Sequence, residues 1–244
     1  MATHATGESA RHDIAETLWP PAAAKEDGLP PLLILLTIVT GVVDALAYLR
    51  LGHVFVANMT GNVVFLGFAA AGANGLSVPG SLLAVAFFLC GGIAAGRVAG
   101  RHSGDRRHVL RVATGLELAL CAIAILVAAF AGKSLGTGSR YALIGLMAVA
   151  MGVQNATARR LAVADLTTTV LTLTLTGIAA DSWLGGGSGA RTARRVLAVF
   201  AMLLGAVVGA LLVLHLAPVA PLVLAGALLA AVDVAARPSA SSID

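Results

Sequence analysis

Charge is the first thing missing. Asp, Glu, Lys and Arg make up only 11% of the 244 residues, where a soluble domain carries about 25%. With 58% hydrophobic residues, that scarcity excludes an ordinary soluble domain. The sixteen Lys and Arg are spread along the chain rather than gathered in one patch, so no nucleic-acid partner is expected. Cysteine is nearly absent too. Cys90 and Cys121 stand alone inside apolar runs; they define neither a disulfide framework nor a zinc site and read as small packing residues. Catalytic patterns are missing as well. There is no His-Glu-x-x-His, and no Gly-x-Gly-Asp around an intramembrane Asp. The Gly-Lys-Ser at 132–134 lacks a P-loop glycine, since Val127 holds its place. A non-enzyme without cofactor or metal is expected. Residues 1–28 lack the basic start, apolar core and cleavage site of a signal peptide. They read as a retained polar tail in which Ile14, Leu18 and Trp19 leave open a rest on the membrane surface. Residues 237–244 read as a second polar tail.

What is present is a series of long apolar runs, near 31–50, 81–100, 110–131, 140–158, 196–216 and 218–236. Each is about the length of a membrane span. The fold class expected is therefore all-α, a polytopic helical membrane protein surrounded by lipid. Two further segments, 54–72 and 163–181, are apolar but interrupted by Asn, Thr and Asp.

Those two segments resemble each other. VANMTGNVV (56–64) aligns with VADLTTTVL (163–171), so Asn58 faces Asp165, Thr60 faces Thr167 and Asn62 faces Thr169. Upstream, GVVDA (41–45) aligns with GVQNA (152–156) after a short gap, pairing Asp44 with Asn155 beside Gln154. Downstream, GGIAAG (91–96) aligns with LGAVVG (204–209). Three ordered matches predict an internal repeat of two halves, 29–132 and 133–236.

The basic residues choose between topologies. If all eight segments cross, Lys and Arg divide eight and eight between the two sides. If 54–72 and 163–181 dip in and return, they divide thirteen and three, the bias that the positive-inside rule expects. Six full spans plus two re-entrant or short polar helices are predicted, with eight spans as the alternative. Both termini are then cytoplasmic in a multi-pass cell (inner) membrane protein. Three crossings per half invert one half relative to the other, an arrangement found in transporters.

Polar groups inside this apolar frame mark the candidate site. Asp44 lies within the first span, where a carboxylate costs about 2.5–3.5 kcal/mol on insertion scales; Tyr48, one turn on, could donate to it. Asn58 and Asn62 are four apart and would share a helix face. Asp165, Thr169, Thr172 and Thr176 would form a similar stripe, although LTLTLT (171–176) also alternates like a strand. The substrate-binding set expected is Asp44, Asn58, Thr60, Asn62, Asn155, Asp165, Thr169 and Thr172. The other reading is that these groups only hold helices together. Glu117 pairs with Arg111 or faces a cavity; the sequence leaves both open. Gly92 and Gly96, echoed by Gly205 and Gly209, are small residues spaced for close helix packing.

The stretches 41–69 and 152–181, with their Asn-Ala, paired arginines and Asp-x-Thr-Thr-Thr run, resemble the YoaK-like family of bacterial membrane proteins of unknown function. The resemblance implies a bacterial integral membrane protein and supplies no substrate. The residues themselves point to a secondary transporter or channel for a small solute or ion, its site between 56–69 and 163–181. A non-catalytic membrane scaffold or regulatory partner is the alternative, and a homo-oligomer stays open.

Overall fold

In the computed structural model the described residues are 14–15, 17–18, 28–101, 105–132, 134–163, 165–166, 168, 171–182, 185–187 and 191–237. Trp19, Thr167 and Thr169 lie outside them. Eight helices run through the described residues: α1 (Leu29–Arg50), α2 (Met59–Ala70), α3 (Val78–Arg101), α4 (Arg106–Ala131), α5 (Thr137–Leu161), α6 (Leu171–Ala180), α7 (Thr192–His215) and α8 (Val219–Ala235).

Local chemistry sets the boundaries. Pro30 and Pro31 sit in the first turn of α1, where a missing N–H costs nothing. α4 begins at Asp105, whose carboxylate accepts from His108 N at 2.9 Å, an N-cap bond. α1 stops where Gly52 and His53 take φ of 110 and 57. The alternating LTLTLT forms α6 and no strand. Thr176 Oγ1 donates to Thr172 O at 2.9 Å, the back-bond that lets threonine sit in an apolar helix.

Five helices, within α1, α3, α4, α5 and α7, are long and apolar enough to cross a membrane. α8 has 17 residues, slightly short of the span expected over 218–236. α2 and α6 have 12 and 10 residues. At 1.5 Å per residue they reach about 18 and 15 Å, against roughly 30 Å of hydrocarbon. Neither helix alone can cross.

α1 and α5 form the centre. In their most apolar windows 78% and 67% of residues are buried, against 28–33% for α3, α4 and α7. The outer helices present Leu82, Leu89, Ile93, Leu126, Phe130 and Phe200 outward, as helices facing acyl chains do. α7 packs on α1 and α3 packs on α5; α8 packs on α1 and α4 on α5; α4 and α8 pack on each other; α2 rests on α3 and α6 on α7. Every one of these pairings goes over into another, or into itself, when the first four helices are exchanged in order for the last four.

Two crossings bring backbone against backbone. A Cβ on Gly41 would overlap Met202 O of α7, and one on Gly205 would overlap Ile38 O of α1. A Cβ on Gly152 would overlap Phe88 O of α3, and one on Gly91 would overlap Val149 O of α5. Gly209 approaches Val42 Cα to 2.8 Å, measured from an added Cβ. The glycines expected on α3 need correcting. Gly96 has nothing within 4 Å and Gly92 meets only Gly152 O, at 3.9 Å; Gly91 makes the crossing. The face that meets α5 follows from the partner's position, which spacing along α3 does not contain. Gly152→Leu is therefore expected to abolish a monodisperse peak in fluorescence-detected size-exclusion chromatography, because backbone cannot yield as a side chain can. Gly96→Leu should elute as the parent does, and equal behaviour of the two variants would refute the crossing.

Candidate functional site

The chain breaks between α1 and α2. Residues 51–58 are not helical, yet Val54, Val56 and Ala57 are buried. Irregular backbone at membrane depth needs partners for its N–H and C=O groups. Two side chains supply them. Asp44, 5% exposed on α1, accepts from Val56 N at 2.8 Å and Ala57 N at 2.9 Å through Oδ1. Its Oδ2 accepts from Asn58 Nδ2 at 2.5 Å. Asn62, fully buried on α2, accepts from Phe55 N at 2.9 Å and donates to Phe55 O at 2.6 Å. An amide that accepts and donates at one residue imitates a neighbouring strand. Tyr48 takes no part in this. It stacks on Phe55 with ring centroids 5.3 Å apart, and Phe55 stacks on Phe65 at 5.9 Å. Asn58 is the N-cap residue of α2 rather than a helical one, so the two Asn do not form one helical stripe. Thr60 is exposed.

A second break separates α5 from α6. α5 ends at Ala162 with φ 48, and Asp165 and Thr168 also have positive φ, 64 and 59. Here an ion-pair cluster holds the segment. Arg195, in the first turn of α7, donates from Nε to Asp165 Oδ1 at 2.9 Å, and from Nη1 to Gly177 O at 2.7 Å. The same Nη1 lies 2.8 Å from Asp181 Oδ2, and Arg191 Nε lies 3.5 Å from Asp165 Oδ2. One guanidinium thus ties the approach to α6, its last turns and the residue beyond it to α7. Arg106 Nη2 donates to Leu161 O, fixing the end of α5 to the start of α4.

Asn155, the counterpart of Asp44, donates to Met151 O of its own helix at 2.8 Å. Gln154 beside it reaches across to α1, donating to Thr40 Oγ1 at 2.8 Å and Leu36 O at 3.2 Å. Thr172 and Thr176 are exposed, and Thr174 is the buried threonine of α6. Asp44, Asn58 and Asn62 are therefore brought together in one half, with Asp165 in a separate cluster. No packed pair among the described helices joins α2 to α6. An apolar cleft of about 20 Å³ between α3, α4 and α5, lined by Ala95, Val109, Ala113, Leu116, Val153 and Thr157, touches neither break. Among the described residues no three His, Cys, Asp or Glu side chains gather as a metal site would.

Arg195 and Gln154 are the residues that sequence reasoning undervalued. Arg195 directly precedes an apolar run and reads as a loop charge. Gln154 belongs to the aligned motif GVQNA, whose first residue, Gly152, like Gly41 in GVVDA, is a crossing glycine; that shared glycine was the available signal.

Residues 32–235 match the family described as "Protein of unknown function (DUF1275)". The chain is also similar to the UPF0700 transmembrane protein YoaK of Bacillus subtilis (strain 168), with 39% identity over 150 residues. That match covers 62% of this chain and 65% of the relative, a little under two thirds of the relative's length. No solved structure matches.

Proposed function

The chain belongs to the DUF1275 family of membrane proteins, and on that premise we propose that it is a secondary transporter or channel for a small solute or ion. The observation that carries this reading is the pair of half-length helices, α2 and α6, each entered through non-helical backbone and each at the same place in its four-helix set. Broken helices in inverted halves are how transporters place polar backbone at depth. The reciprocal packing of α1 with α7 and of α5 with α3 supports two repeated halves, and the thirteen-to-three division of basic residues supports their inversion. In this reading the protein sits in the bacterial inner membrane with both termini in the cytoplasm. Segment 56–69 dips in from outside and segment 163–181 from inside, and the solute passes between them without covalent catalysis.

One observation favours the alternative, a scaffold or regulatory partner. Asp44 and Asn62 spend their hydrogen bonds on backbone of their own half, which leaves them braces rather than solute ligands. Topology is the first discriminator. In a background lacking Cys90 and Cys121, Asn74→Cys should react with an impermeant maleimide in intact cells and Ser182→Cys should not. Protection of both would mean eight plain spans and would remove the inverted halves. Uptake by reconstituted vesicles then separates transporter from scaffold.

A further inference from the structure

Glu117 stands on α4, and neither break uses it. It is fully buried, and both of its carboxyl oxygens lack a hydrogen-bond partner. Arg111 is not its partner. Six residues along a helix leave the two side chains about 120° apart around its axis. The surroundings of Glu117 on the packed face of α4 are apolar, with Ala113, Cys121 and Ala124 buried along it and Leu222, Ala225 and Leu229 buried along α8. Cys121 directs its thiol to Leu222 O at 3.3 Å. Toward one end the seam between α4 and α8 turns polar. Thr114, one turn from Glu117, is fully buried and lies 3.4 Å from Asp233 Oδ1 of α8. Asp233 in turn meets Arg237 at 3.3 Å, where the arginine is 59% exposed.

An unpaired carboxylate in such a place has no dipole to replace water, whereas burying the neutral acid costs far less. A metal cation would need several oxygens converging on it, and none converges on Glu117. We propose that Glu117 is an intramembrane proton-binding site, filled from the end of the α4–α8 seam where Thr114 and Asp233 stand. The proton comes from bulk water at Asp233, passes the Thr114 hydroxyl and forms an O–H bond on one Glu117 oxygen. No electrons are exchanged. The other charged groups around this site are placed away from it. From α8 the titratable group on the seam is Asp233. From α5 there are Arg159 and Arg160, both exposed in its last turn, and Tyr141 near its opposite end. α3 brings Arg97, exposed. On α4 itself Arg106, Arg107 and His108 occupy the first turn. The assignment does not rest on the transport reading, since a buried acid can take up a proton in a scaffold as well. Within that reading it makes Glu117, rather than Asp44, the group that couples flux to protons.

Two measurements on the full-length protein in membranes test it. Dicyclohexylcarbodiimide adds to protonated carboxyls in apolar surroundings. Mass spectrometry should find its adduct on Glu117 of the unmutated chain, with a yield that falls as pH rises. Infrared spectroscopy should show a protonated-acid carbonyl band that is lost in Glu117→Gln. Its hydrogen–deuterium exchange should slow several-fold in Thr114→Val and Asp233→Asn. Absence of the adduct at every pH, or a band unchanged in Glu117→Gln, overturns the site. Exchange unaffected by both other variants overturns the route. Should Glu117→Gln fail to fold, the adduct on the native chain decides alone.

Discussion

Asp44→Ala is expected to deplete folded protein rather than dim an activity. The substitution strands three donors at once: the N–H groups of Val56 and Ala57 and the Asn58 amide. A buried donor left without an acceptor costs about 1–3 kcal/mol, and here no water is at hand to take over. The sum is several kcal/mol, a large part of the stability of a typical domain. Asp44→Asn should fall between the two. It keeps one acceptor oxygen and turns the other into an NH2 that faces a donor. Thermal unfolding of the purified protein in one detergent checks both variants. A wild-type melting temperature for Asp44→Ala would sink the brace. Loss of uptake in Asp44→Asn with melting preserved would return the carboxylate to the solute path.

The second large effect is expected at Arg195. Its side chain is 8% exposed and contacts Asp165, Asp181 and Gly177 O. Arg195→Ala removes all three contacts and leaves Asp165, with 18% of its side chain exposed, facing only the more distant Arg191. Truncating one member of a buried charge pair costs about 3–5 kcal/mol, and the partial exposure of Asp181, 57%, pulls the figure toward the lower end. The loss should stay local, because α6 packs on α7 and on little else. Hydrogen–deuterium exchange by mass spectrometry should show residues 165–181 exchanging much faster while α1 and α5 keep their protection. Arg195→Lys should recover only part of this, since an ammonium cannot reproduce the planar fork that serves two acceptors. Uniform loss of protection across the protein would mean that Arg195 holds the bundle and not the segment.

The frame of the fold was legible because apolar length is a direct property of sequence. The runs that became α1, α3, α4, α5 and α7 are long enough to stand without knowledge of neighbours. The shortness of α2 and α6 was legible for another reason. The Lys and Arg positions favour segments that return over segments that cross, and a returning segment has room only for a short helix. The use of each polar residue was not legible. Asn58 and Asn62 are four apart and read as one helical face, yet Asn58 lies at the N-cap and turns toward Asp44. Spacing carries a face only when both residues are already in the helix. Asp44 was marked by its cost in hydrocarbon, but cost does not say whether the compensating groups belong to a solute or to the chain. Its partners are backbone N–H groups, which every sequence has and no sequence displays. The crossing glycines failed for a similar reason, since Gly91 and Gly92 differ only in which one a distant helix happens to meet.

The pairing of α1 with α7 also dictates an order of assembly. Asp44 reaches Val56 across 12 residues, so the first break can close as soon as α2 has left the ribosome. Gly41 meets its partner only when Gly205 arrives, roughly 160 residues later. At 5–20 residues per second that is about 10–30 s. Through that interval the innermost helix of the finished protein must wait with its glycine face against lipid or the insertion machinery. The first half is thus born with its brace complete and its groove empty, and the second half closes the bundle by filling it.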